Sequence, residues 1–291
     1  STRGDVRRTV IAVVALFAFC IILLLAIMSY TPSVHRSNLG TGGRGTEVEG
    51  ACRHLKVVVL VDNNVCAVGA EGVWGLSLYV EFEDKIFLFD TGPSSEVLVR
   101  NAKYLKLNLS AIDFVILSHE HGDHVGGLPA VSKLVKNIPV YIPAGSAERL
   151  IGWIEELGLR PTVVNTSGTR IDNSLVVVGP LLGPPPEIGV AIVLRNATVL
   201  LVGCSHPGLV RMVQEAEKVT GLPVKIIVGG FHMFGDTPEN VKRVIDQLIS
   251  MGVEKIYPLH CSGDVFRKVL RELYPEAYGD GCVGTVIELC G

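Results

Sequence analysis

Short apolar, β-branched runs recur along most of the chain. They are KVVVLV (56–61), GLSLYVEF (75–82), KIFLFD (85–90), FVIL (114–117), VYI (140–142), SLVVV (174–178), VAIVL (190–194), TVLLV (198–202), VKIIV (224–228), KIYPL (255–259) and GTVIEL (284–289). Each is bounded by glycine, proline or polar residues and reads as a strand. Helical periodicity fills the intervals at 94–105, 126–136, 145–158, 207–220, 238–251 and 263–274. Several of these have start signals: Ser94 before Glu96, Ser146 before Glu148, and Thr237-Pro238-Glu239. Strands dominate early and helices are interspersed, which predicts an α/β domain over 52–291 with two sheets and helices outside them.

The first stretch has another pattern. Residues 10–28, VIAVVALFAFCIILLLAIM, form an unbroken apolar run with Arg3, Arg7 and Arg8 ahead of it. As a helix it spans roughly 28 Å at about 1.5 Å per residue, near the thickness of a bilayer core. The expectation is a cytoplasmic 1–8, a single-pass transmembrane anchor at 9–29 and an extracellular domain, by the positive-inside tendency. A cleaved signal peptide is the alternative, but Ala26-Ile27-Met28 puts a large residue at the cleavage position. Residues 30–51, polar and rich in glycine, read as a flexible linker.

Composition narrows the partners. The 291 residues are 48% hydrophobic and carry a net charge of −3, with no concentrated basic stripe. That excludes a general nucleic-acid binder and points to a small-molecule substrate. The seven cysteines include no CxxC, so neither a zinc ribbon nor a thioredoxin-type motif is indicated. In an external domain Cys52, Cys66, Cys282 and Cys290 are candidates for disulfides. Cys282 and Cys290 are too far apart along an extended strand to pair with each other.

Three of the eight histidines fall in SHEHGDH, residues 118–124, directly after an apolar strand. His119 and His121 are two apart on an extended segment and project to one side, while Glu120 points away. Asp123 and His124 follow as the chain turns into a helix. Imidazole and carboxylate are the ligands of catalytic Zn²⁺ and related ions, and a solvated turn seldom concentrates four such groups. His206, His232 and His260 each follow an apolar strand in the same way, where loops converge and sites form. Plainer readings remain for each: a helix-start residue for His206, a hydrogen-bonded core histidine for His260, a structural role for His232. Cys204 reads as a small buried cysteine or a metal thiolate.

With these residues in place, the sequence resembles the metallo-β-lactamase superfamily over about 55–260. HxHxDH at 119–124, FDTG at 89–92 and the histidine after a strand at 260 carry the likeness. LVDNN (60–64), GCSHPG (203–208), GGFHM (229–233) and HCSGD (260–264) resemble a subgroup labelled as similar to an archaeal dihydropterin synthase. The resemblance implies an αβ/βα sandwich with a metal pair at one edge. On the leading reading His119 and His121, with His206 replacing a ligand missing from the family pattern, hold one divalent ion, Zn²⁺ by ligand type, and Asp123, His124 and His260 a second. Asp90 supports the ligands from behind. Residues 125–203 lack the further histidine usual in the family's hydrolases, and Cys204 stands where they carry a bridging aspartate, so the site holds one ion or two.

The expected activity is hydrolysis of an ester, amide or phosphoester by metal-activated hydroxide, with Asp123 orienting that nucleophile or taking a proton and His232 and Ser262 meeting the substrate. The alternatives are a dihydropterin-diphosphate transferase releasing pyrophosphate, and a tethered metal-binding module without catalysis.

Overall fold

The apolar runs lack a polar face because most strands are covered on both sides. The structure, a computed structural model, describes residues 53–290 and the backbone of Val34–Arg36. The first sheet takes β1 (Val34–Arg36), β2 (His54–Val61), β3 (Ser77–Phe82), β4 (Lys85–Phe89), β5 (Phe114–Ile116), β6 (Pro139–Pro143) and β7 (Arg160–Val164). The second takes β8 (Leu175–Leu181), β9 (Glu187–Val193), β10 (Thr198–Val202), β11 (Val224–Gly230) and β12 (Lys255–Leu259), and β13 (Val286–Cys290) returns to the first. The orders are β1-β13-β2-β3-β4-β5-β6-β7 and β12-β11-β10-β9-β8. Both sheets are mixed. β2 to β4 pair antiparallel and β4 to β7 parallel, whereas β8 to β10 pair antiparallel and β10 to β12 parallel.

Alternation along each strand divides the apolar residues between layers. In β2, Leu55, Val57 and Val59 enter the core between the sheets, while Val58 and Leu60 face the helices. In β10, Val199 and Leu201 point inward and Leu200 and Val202 outward. The first sheet's outer face is covered by α1 (Ser95–Tyr104), α3 (Leu128–Leu134) and α4 (Glu148–Glu156), with the short α2 (Gly122–Val125) at its edge. The second is covered by α5 (Leu209–Thr220), α6 (Pro238–Ser250) and α7 (Gly263–Leu273). The architecture is therefore two mixed sheets sandwiched between helices.

Three details differ from the sequence reading. The helix expected at 126–136 is shorter, α3 at Leu128–Leu134, and is set off from the short α2 before it by Gly126-Gly127, where the chain passes against Pro93 and Thr91. The strand β7, with Pro161 inside it, went unseen, and it lies at the sheet edge where proline is tolerated. Within the stretch read as a linker, the backbone of β1 pairs in parallel with β13. The apolar run at 10–28, with Cys20, lies outside the described residues, among which no helix is long and apolar enough to cross a membrane. Cys66 is disulfide-bonded to Cys282, with their Cα atoms 5.6 Å apart, and Cys290 is also disulfide-bonded.

Candidate metal centre

Parallel pairing delivers the chemically active residues to one edge. Asp90 follows β4, Ser118 and His119 follow β5, Cys204 and His206 follow β10, His232 follows β11 and His260 follows β12. Three of these residues sit in left-handed backbone, Asp90 (φ 60°), His232 (φ 50°) and His260 (φ 45°), as does Ser205 (φ 60°) between Cys204 and His206. Such conformations cost about 1–3 kcal/mol each and persist where the surroundings hold them. The two sheets close up at Gly203, where a Cβ would fall 2.1 Å from Ser118 Oγ.

The hydrogen bonds fix which imidazole nitrogen carries the proton. Asp90, fully buried, accepts from Ser118 N (2.7 Å), Ser118 Oγ (2.7 Å) and His124 Nδ1 (2.7 Å). With its hydrogen given to Asp90, Ser118 Oγ accepts from His119 Nδ1 at 2.8 Å. Glu187 Oε2 accepts from His206 Nδ1 at 2.9 Å. Asn63 settles His260. The His260 carbonyl can only accept, so the amide atom 3.1 Å from it is Nδ2. Asn63 Oδ1 is then the acceptor for His260 Nδ1, also at 3.1 Å. Four histidines thus hold their Nδ1 proton against the protein and keep Nε2 bare.

These bare nitrogens converge. The ligand atoms of His119, His121 and His206 lie within 4.8 Å of one another, as do those of Asp123, His124 and His260. These are two sets of residues named from the sequence that the fold brings together. Asp123 Oδ2 stands 3.2 Å from His260 Nε2, an acceptor facing an acceptor, and that buried nitrogen has no hydrogen-bond partner. A cation fits between them. The His119 imidazole is pushed far below the usual range, by burial first and then by the neighbouring imidazoles, so it stays neutral with its lone pair available. Burial pushes the Asp90 carboxyl up. At His124 burial opposes the charge, yet the adjacent Asp90 carboxylate raises the pKa overall. By the placement of its ligand atoms and the anchoring of the four Nδ1 atoms, the donor set fits one or two divalent ions.

Cys204 is central, with Sγ 3.2 Å from His124 Nε2, and it groups with His119 and His124 and also with His206 and His232. It is buried and free, as is Cys261. His232 is exposed, its ring 4.5 Å from that of His206, and it lies at the mouth. Ser262 does not reach the mouth. It is fully buried and its hydroxyl donates to Leu259 O at 2.6 Å, so the expected substrate contact is corrected to a structural one. Glu120 points away as expected and accepts from Ala147 N at 2.6 Å.

Asp62 and Asn63 lie in the LVDNN motif but carried no assigned role, and Glu187 was not picked out from sequence. Asp62, fully buried, accepts from His260 N at 2.5 Å and pairs with Arg267 at 3.5 Å. The available signal was two polar residues closing an apolar strand, DN at 62–63. Replacing Asn63 by Leu frees the His260 ring to turn and change tautomer. Asn63→Leu is expected to weaken Zn²⁺ or Co²⁺ binding by about 10–100-fold. Titration against a chelator of known affinity checks this, and an unchanged dissociation constant would refute it.

The sequence model of the metallo-beta-lactamase superfamily matches residues 75–260. The chain belongs to the metallo-beta-lactamase superfamily. Over 263 aligned residues, 74% of this chain and 89% of the relative, it is 30% identical to the 7,8-dihydropterin-6-methyl-4-(beta-D-ribofuranosyl)-aminobenzene-5'-phosphate synthase of Methanocaldococcus jannaschii. That places it with the superfamily subgroup resembling this synthase. Among solved structures, Tm1679, a metal-dependent hydrolase of the beta-lactamase superfamily, superposes with a TM-score of 0.68 at 21% identity, covering 81% of this chain and 100% of that one. Human tRNase Z, short form, gives 0.56 at 15% identity, covering 80% and 98%. A diphosphatase from the PhnP family also gives 0.56, at 17% identity, covering 82% and 100%. These structural likenesses show the shared superfamily fold.

Proposed function

We propose that the chain is a metal-dependent hydrolase acting on an ester, amide or phosphoester of a small molecule. The observation that carries the reading is the set of bare Nε2 atoms, each anchored through Nδ1, at one sheet edge, two of which, on His124 and His260, stand beside Asp123. His119, His121 and His206 would hold one ion, and Asp123, His124 and His260 a second, with Zn²⁺ the ion this nitrogen-rich set suits. Such ions supply Lewis acidity, polarising a carbonyl or phosphoryl oxygen and easing the deprotonation of water. Asp123, half-buried beside His260 and His124, orients the attacking water or takes its proton. His232, exposed beside His206, meets the leaving side of the substrate. Ser118, Asp90, Glu187 and Asn63 hold the imidazoles in register.

The synthase relative gives a second reading weight, in which the same residues serve a transferase that releases pyrophosphate from a dihydropterin diphosphate. The Cys66–Cys282 disulfide and the bonded Cys290 favour an oxidising compartment, as does the apolar run at 10–28 read as a membrane anchor. The proposed site of action is therefore outside the cytoplasm, away from a pathway that supplies cofactor precursors.

One experiment separates the readings. Purified full-length chain is analysed for metal and assayed on ester, lactone, thioester, β-lactam, phosphodiester and dihydropterin-diphosphate substrates, before and after EDTA. Hydrolysis that EDTA abolishes and Zn²⁺ restores is the expected result. Pyrophosphate release from the pterin alone would favour the transferase, and full turnover without metal would end both. Bound metal with no turnover on any substrate would leave a binding module.

A further inference from the structure

Two large aromatic side chains stand exposed beside the centre. Trp74 is 49% exposed and Phe234 is 70% exposed. The Trp74 ring lies 4.7 Å from the His260 ring, and the Phe234 ring lies 5.6 Å from that of Trp74 at 82°. Their backbones are pinned to the site itself. Val73 N donates to Asp62 O (3.0 Å) and Leu76 N to Asp123 O (3.3 Å), on either side of Trp74. Met233 N and Phe234 N both donate to Cys261 O, at 3.1 and 3.0 Å. Gly263, in left-handed backbone with a would-be Cβ 2.9 Å from Phe234 Cα, lets the Phe234 loop press onto the turn that carries His260. Exposed aromatic surface held rigidly at a polar centre marks a ligand subsite rather than incidental exposure.

We propose that Trp74 and Phe234 form a platform for a flat aromatic ring of the substrate, so that the preferred substrates are aryl esters or aryl phosphoesters. The inference rests on the hydrolytic reading above. The near-perpendicular rings select an aromatic over an alkyl group. When one ring presents its edge to the face of another, a third ring stacked on the first also presents its edge to that same face. A single aromatic group therefore satisfies both favoured geometries at once, and an alkyl group satisfies neither. Because Trp74 abuts His260, a ring seated there leaves only a short link to the reacting carbonyl or phosphoryl group.

The test compares phenylphosphonate with methylphosphonate on the full-length, metal-loaded chain by titration calorimetry. The wild type is expected to bind the phenyl compound at least about tenfold tighter, and Trp74→Ala and Phe234→Ala are each expected to lower that ratio to about two or three. Phe234, being the more exposed, is the variant that keeps the test valid if Trp74→Ala misfolds. In Trp153→Phe, Trp74 is the sole tryptophan of the chain, and its emission is expected to be quenched by phenylphosphonate and not by methylphosphonate. A ratio near one in the wild type, a ratio unchanged in both variants, or no binding of either compound overturns the proposal. Binding is read without turnover. A phenyl preference without hydrolysis would keep the platform and remove the hydrolase, and hydrolysis with a ratio near one would do the reverse.

Discussion

His121→Ala is expected to cost about a thousandfold or more in kcat/KM while leaving the fold intact, because an ion contributes several kcal/mol of transition-state stabilisation. The side chain is well suited to separate chemistry from stability. It is exposed, it does not cap the helix that follows, and its Nδ1 lies 3.0 Å from His119 Nε2. Removing it opens no core cavity, so unfolding free energy of the metal-free chain should change by no more than about 0.5 kcal/mol. What it removes is one of three ligand atoms that meet within 4.8 Å. Metal content measured on the purified variant should fall together with turnover. Wild-type metal and turnover in His121→Ala would mean that the first triad holds nothing of catalytic importance.

Local chemistry was legible in the sequence and distant chemistry was not. SHEHGDH concentrates its ligands within one turn of chain, so spacing alone placed His119, His121, Asp123 and His124 together. His206 and His260 were legible because apolar strands point at them, and parallel pairing carries strand ends to a common edge. Asn63 stands in the LVDNN motif, yet its role was hidden, since its partner His260 lies 197 residues away and an amide closing a strand does not announce its partner. Glu187 was hidden for the opposite reason. It follows three prolines, a context that reads as a solvated turn, yet it opens β9 and is fully buried. The late start of α3, at Leu128, shows the same limit. Helical periodicity runs through Gly126-Gly127, but a Cβ at Gly126 would fall 2.0 Å from Pro93 O, a contact no local pattern announces.

Glu187→Gln is expected to destabilise the metal-free chain by about 3–5 kcal/mol and to weaken metal binding as well. Four donors meet on this buried carboxylate: Cys204 N and Ser205 N on Oε1, both at 2.8 Å, and His206 N (2.8 Å) and His206 Nδ1 (2.9 Å) on Oε2. A glutamine matches only one side, because its amide group would confront two N–H donors with N–H bonds of its own. Burial opposes the Glu187 charge, yet the hydrogen bonds from His206 and from the backbone of Ser205 and His206 hold its pKa below the ordinary 4.5. The sign follows from that direction. A folded-state pKa below the unfolded one contributes stability that is fully present above about pH 4.5 and is lost as pH falls through the folded value. Urea unfolding of the EDTA-treated proteins should therefore show the largest gap between wild type and Glu187→Gln near neutrality, closing as the solution is acidified below about pH 4.5. Working without metal matters, because an ion bound to the folded state would add its own stabilisation to the wild type. Equal urea midpoints at neutral pH, or a gap that widens in acid, would show that the carboxylate does not carry the loop that presents Cys204 and His206, and the account of how His206 keeps its Nε2 bare would fall with it.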